Sequence, residues 1–157
     1  MYPEYTDEHN AYEPLADAYV KKGNKAAAID VLKKYMKYAE TSFTANLKLA
    51  DLLKEQGDLA GTQQWLQGAV YIRPLDFNVH EKLGALLLAE KQYPLAAREY
   101  ETLLALNFPD KAAAYFHLAE AQFGAGNKAE ARKSILKCIE IAPSFEPAQE
   151  LLLKIVR

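Results

Sequence analysis

The chain has 157 residues, 50% hydrophobic and 25% charged, with 19 basic against 21 acidic side chains and a net charge of −2. That is a soluble globular composition, and its balance of sign gives no general reason to expect nucleic acid or an anionic membrane as partner. No apolar run approaches the roughly 18 residues that span a bilayer, and the one cysteine, Cys138, excludes an internal disulfide or a multi-cysteine metal site.

In chain order, residues 1–8 (MYPEYTDE) read as an extended tail rich in tyrosine and acid, lacking the basic and apolar regions of a signal peptide. A lone thiol fits a reducing compartment, so a soluble, cytoplasmic chain is the reading favoured. The first helix is expected to begin near Ala11 or Tyr12, because Pro14 is tolerated only in a first turn. Asn10 and Glu13 have capping-box spacing for that start. Four stretches then share one opening: LADAYVKK, LADLLKEQ, LGALLLAE and LAEAQFGA. Each begins with a large apolar residue followed by a small one, Leu15-Ala16, Leu49-Ala50, Leu83-Gly84 and Leu118-Ala119, and goes on with apolar residues at helical spacing. Each is followed by a tight turn and a second amphipathic stretch: AAAIDVLKKYMKY, AGTQQWLQGAVYI, PLAAREYETLLAL and KAEARKSILKCIEI.

The turns carry a period. GNKA stands at 23–26 and again at 126–129. Gly23 to Gly57 is 34 residues and Gly57 to Gly126 is 69, which leaves room for one more turn near residue 91, where Lys91 takes the glycine's place. Pro74 and Pro143 are likewise 69 apart, with Pro109 between them. The last stretch, SFEPAQELLLKIVR, predicts one further helix with Ser144 as N-cap. Its Leu151, Leu152, Leu153, Ile155 and Val156 are very apolar for a closing helix, which points to truncation or self-association.

A helix–turn–helix period of 34 with small residues at fixed places resembles the tetratricopeptide repeat. The fourth unit matches most fully, through Tyr115, Leu118, Ala119, Gly126, Ala131, Ile135, Cys138 and Pro143. The first departs at Tyr35 and Glu40, where the family has a small residue and a proline. The resemblance implies an all-α fold, a right-handed α-solenoid of four units at 9–42, 43–76, 77–110 and 112–145 with a capping helix at 146–157. Small residues let paired helices approach, and large ones fill the space around them. Cys138 falls at a small packed position and reads as a core thiol.

Nothing in the sequence assembles a reaction centre. There is no phosphate-binding, dinucleotide or nucleophile-elbow motif. His80-Glu81 opens a zinc-helix pattern, but Gly84 stands where its second histidine must be, and His9 and His117 show no ligand spacing. No catalytic residue, metal or cofactor is therefore assigned. Lys21, Lys22, Lys25, Lys33, Lys34 and Lys37 cluster in the first unit without interleaved aromatics and read as a solvated face.

What the resemblance implies instead is a concave groove lined by first helices. The first unit would present Glu13, Asp17 and Lys21, the second Leu47, Lys48 and Asp51, the third Asn78, Glu81, Lys82 and Leu88, and the fourth Phe116, His117, Glu120 and Phe123. The lining would grade from charged to aromatic. Phe116 and Phe123 either pack against the terminal helix or form a pocket for a partner's side chain. The carboxylate clamp of chaperone-binding relatives would fall on Glu13, Asp17, Lys48, Asn78 and Lys82, or on Leu47, Asp51, Lys82, Ala113 and His117. Carboxylates or apolar residues replace cations there, so a heat-shock chaperone adaptor is not expected. The expected function is a protein-interaction scaffold that binds a peptide or helix, with no enzymatic activity, nucleic acid or membrane involved. Two alternatives stand beside it: an arm of a larger multidomain protein such as a bacterial hydrolase, and self-association through Leu152, Leu153 and Val156.

Overall fold

The computed structural model describes residues 11–157, so the tail at 1–8 and the cap at Asn10 lie outside the described residues. The regular elements among those described are nine α-helices: α1 Tyr12–Lys21, α2 Lys25–Met36, α3 Phe43–Glu55, α4 Leu59–Ile72, α5 Phe77–Ala89, α6 Tyr93–Ala105, α7 Lys111–Gly124, α8 Lys128–Ile141 and α9 Glu146–Val156. The all-α helical-repeat class is as expected. The helices gather into two compact units, the first ending at Pro74 and the second running Leu75–Arg157.

Every helix pair closes through the same backbone turn. The N–H groups of Asn24, Asp58, Gln92 and Asn127 donate to the carbonyls of Tyr19, Leu53, Leu87 and Gln122 at 2.8–2.9 Å, which is the six-to-one bond of a Schellman C-cap. That cap puts the preceding residue in the left-handed region, which only glycine enters without steric cost. Gly23, Gly57 and Gly126 sit there at φ 76°, 80° and 83°, and Lys91 joins them at 59°. The third turn thus falls where the period places it, on a residue poorly suited to it. The next residue caps the second helix in some turns. Asn24 Oδ1 accepts from Ala27 N–H at 3.1 Å and Asp58 Oδ1 from Gly61 N–H at 2.9 Å, satisfying a donor left over in the first turn. Asn127 makes no such bond. The two GNKA copies therefore share a turn but not a cap.

One helix start is as expected and one differs. α1 begins at Tyr12, where its N-cap position is Ala11, with no side-chain cap bond. At α9 it is Phe145 rather than Ser144. The Phe145 ring is held edge-on against Phe116 with centroids 5.1 Å apart, its backbone stays extended, and the helix begins one residue later.

In the first unit the small residues Ala16, Ala28, Ala50, Thr62 and Ala69 are all buried, and Leu32, Leu49 and Leu66 fill the space between the helices they hold together. Each such leucine contributes about 1.5–3 kcal/mol through burial. Tyr35, large where the repeat is usually small, is accommodated by stacking on Tyr12 at 5.5 Å. In the second unit Ala96, Ala119, Ala131 and Cys138 are fully buried. Gly84 lets α6 approach closely: a Cβ there would come 3.2 Å from the buried Tyr100 ring. Cys138 is a core thiol as expected, its pKa pushed up by burial and then by the charge of Asp110.

Candidate functional site

In the first unit, α1 and α3 bring together three of the residues expected to line a groove. Lys48 Nζ donates to both carboxylate oxygens of Asp17, at 2.9 and 3.0 Å, and lies 3.4 Å from Glu13 Oε2. Ser42 Oγ, at the N-cap of α3, donates to Glu13 Oε1 at 3.4 Å. Partial burial works against the Lys48 ammonium, yet the hydrogen bond and charge of Asp17, followed by Glu13, outweigh it and raise the pKa above the ordinary lysine value. The glutamate and lysine are half-buried and the aspartate exposed, so this is a modest, partly screened attraction. Its chemical consequence is larger than its energy. The cation best placed to grip a ligand's carboxylate is already held by two carboxylates of its own unit. Lys21 and Asp51 are exposed beside this cluster, and Leu47 is half-buried.

The second unit presents a different surface. The ring of His117 stacks on Tyr100 at 5.2 Å and meets Phe116 edge-on at 5.2 Å. Its Nδ1 lies 2.8 Å from Glu120 Oε2, one turn along α7. Tyr100 is buried, and its hydroxyl pKa is raised well above the ordinary value, first by desolvation, then by the negative charges of Glu120 and Glu81. Two carboxylates therefore act on one phenol from α5 and α7. Glu81 and Asn78 are exposed, while Lys82 and Leu88 are half-buried, Leu88 against the Tyr100–Leu103–Leu118 cluster. Phe116 and Phe123 are half-buried and pack against the cluster built by Ala119, Ile135, Ala148, Leu151 and Ile155. They are part of the contact with the terminal helix, and a partner could meet only the remaining exposed part of each ring.

Three features escaped the sequence. Tyr100, a buried ring of α6, is also the floor beneath His117. His80, noted only for an incomplete zinc pattern, is buried with its Nδ1 2.7 Å from Glu99 Oε2. Among the described residues no three His, Cys, Asp or Glu side chains converge to hold a metal. The third is a cavity of about 260 Å³ in the first unit, lined by Met36, Glu40, Asn46, Gln64, Trp65 and Gly68. Asn46 stands where the first and fourth units carry Tyr12 and Tyr115. Its amide is turned back to Ser42 O at 2.8 Å, and its Oδ1 sits so close to Gly68 that a Cβ there would lie 2.6 Å away. A shortened side chain at a repeating ring position was the available signal.

The six lysines of the first unit are all exposed, with Lys25 paired to Glu55 at 2.8 Å. On α9, Leu151 and Ile155 are buried, Leu152 is half-buried, and Leu153 and Val156 are more than half exposed. Among the described residues no helix is long and apolar enough to cross a membrane.

Comparison with known proteins agrees with this architecture. A tetratricopeptide repeat family model matches residues 14–77 and 82–144. An uncharacterized protein of Haemophilus influenzae is 26% identical over 106 residues, 68% of this chain, and the chain spans about half (56%) of that protein's length. A crystal structure of MamA superposes with a TM-score of 0.78 at 23% identity, covering 92% of this chain and 78% of that one. YrrB, described as a TPR protein with an unusual peptide-binding site, superposes at 0.72 and 21% identity over 89% of this chain and 72% of its own.

Proposed function

The chain belongs to the tetratricopeptide repeat family, and we propose that it is a protein-interaction scaffold whose first-helix faces bind an extended or helical segment of a partner protein. The observation that carries this reading is the α5–α7 face of the second unit. There His117, Glu120 and Phe116 remain partly exposed beside Glu81, where packing alone has no use for two carboxylates and a histidine over a buried ring. Rings beside carboxylates suit a segment that combines an apolar side chain with a lysine or arginine, which can lie over a ring face and meet a carboxylate. The first unit has a first-helix face of its own, with Glu13, Asp17, Lys21, Leu47, Lys48 and Asp51. Because Lys48 is already paired, a bare C-terminal carboxylate is a poor ligand there. The peptide-binding site named for YrrB supports the class of partner. No reaction or cofactor is proposed.

A selection from a random-sequence peptide library tests it, with wild type beside a Glu81→Lys, Glu120→Lys variant shown to fold by circular dichroism. Basic–apolar sequences should be enriched by wild type and lose at least about tenfold in affinity for the variant, the scale of one lost charged contact. Enrichment of the same sequences by both proteins would rule the second-unit face out.

One further reading has an observation of its own. The exposed Leu153 and Val156, beside half-buried Leu152, favour self-association through α9.

A further inference from the structure

α9 stands where a fifth unit would begin. Leu152-Leu153 lies 34 residues after Leu118-Ala119, at the next place in the series of large–small pairs. In the earlier pairs the second member is buried: Ala16, Ala50, Gly84 and Ala119. Gly84 shows why, since a Cβ there would already press on Tyr100 and Glu99 of its hairpin partner α6 at 3.2–3.3 Å, leaving room for nothing larger than a methyl group. In α9 the second member is Leu153, 57% exposed, with Val156 at 54% beside it. The opposite face, Ala148, Leu151 and Ile155, is buried in the cluster shared with α8. α9 thus leaves open the face that a second helix covers elsewhere in the chain. A leucine at the small position holds off a hairpin partner of the usual close fit but suits a helix packed through interdigitating side chains.

The charges of α9 say which helix that is. Glu146 and Glu150 occupy its first half, Lys154 and Arg157 its second half and end, and all four are exposed with no ion-pair partner among the described residues. At about 3.6 residues per turn they form a stripe along one flank of the Leu153–Val156 face. In two antiparallel helices related by a two-fold axis like flanks meet, so the acidic half of each lies on the basic half of the other. A parallel pair would bring unlike flanks together and leave each charged stripe without its counterpart.

We propose that α9 pairs antiparallel with α9 of a second copy of this chain, with Leu153 and Val156 in the seam and Glu150 opposite Lys154 of the partner subunit. The proposal rests on the self-association reading above and is independent of peptide binding by the first-helix faces. A single helix pair falls short of the roughly 1,200 Å² of a standard interface, so the dimer is weak and depends on concentration.

Sedimentation equilibrium from micromolar to millimolar chain is the test. The mass should rise from 17.6 kDa toward twice that value. Leu153→Glu should stay monomeric. Glu150→Lys and Lys154→Glu should each weaken the dimer about tenfold or more, since each sets like charges face to face. Both changes in one chain should restore it, and mixing the two single variants should give a heterodimer tighter than either alone. A monomer throughout, leaving the face to a helix that follows Arg157 in a longer polypeptide, overturns the proposal. So does a dimer indifferent to Leu153→Glu and to the single charge reversals. Peptide selection by monomeric Leu153→Glu reads the groove separately, so failure of one reading leaves the other standing.

Discussion

Replacing Lys91 by glycine should stabilise this protein, although it deletes a long side chain. Lys91 sits at φ 59°, is exposed, and has no side-chain interaction among the described residues. The bonds that close its turn, Lys91 N–H to Leu88 O at 3.0 Å and Gln92 N–H to Leu87 O at 2.8 Å, belong to the backbone and survive the change. A left-handed conformation costs an L-residue roughly 1–2 kcal/mol. Glycine relieves that cost but returns about 0.4–1 kcal/mol through the greater freedom of its unfolded chain. The net gain should be about 0.5–1 kcal/mol. Gly126 supplies the converse, because a Cβ there would meet nothing within 4 Å at φ 83°. Gly126→Ala should therefore cost about 1 kcal/mol from backbone strain alone. Urea unfolding followed by circular dichroism gives both numbers. Repeat arrays need not unfold in one step, so exchange of the Gln92 amide gives a local readout of the same turn. Lys91→Gly proving neutral or destabilising while Gly126→Ala costs the expected amount would refute the reasoning, since the turns would then not be equivalent.

Three other outcomes follow from the packing. Tyr100 has a folded-state pKa raised above the ordinary value of about 10, so it stabilises the fold fully below pH 10 and loses that contribution as pH rises through the folded value; Tyr100→Phe should shift the midpoint of alkaline unfolding upward, measured by circular dichroism against pH. Gly68→Ala should destabilise by about 1–3 kcal/mol in urea unfolding, because the buried Asn46 amide must leave its place to admit a methyl group. Phe116→Ala with Phe123→Ala should lower the melting temperature by several degrees, since both half-buried rings pack against the cluster holding Leu151 and Ile155; an unchanged melting temperature would return both rings to the groove.

The repeat was legible because its markers are backbone requirements. A left-handed turn and a close helix approach restrict residue choice at single positions, so Gly23, Gly57 and Gly126 announce themselves and even Lys91 is found by counting. Side-chain substitutions inside the register were not legible. Tyr35 read as a departure at a small position and Asn46 passed unremarked at a ring position, and only packing shows that one stacks on Tyr12 while the other lines a cavity. The expected groove residues were named from one helix face at a time. Periodicity cannot show that Lys48 turns back onto Asp17 and Glu13, or that His117 rests on Tyr100 from the neighbouring helix, because those contacts depend on partners 31 and 17 residues away.

The most direct test of the scaffold account is chemical-shift mapping of a library-selected basic–apolar peptide on the ¹⁵N-labelled chain. The account predicts that the largest shifts fall on the first helices of the second unit, at Glu81, Phe116, His117 and Glu120. Shifts confined to the second helices, around Lys33 and Lys34 or Arg132 and Lys133, would contradict it.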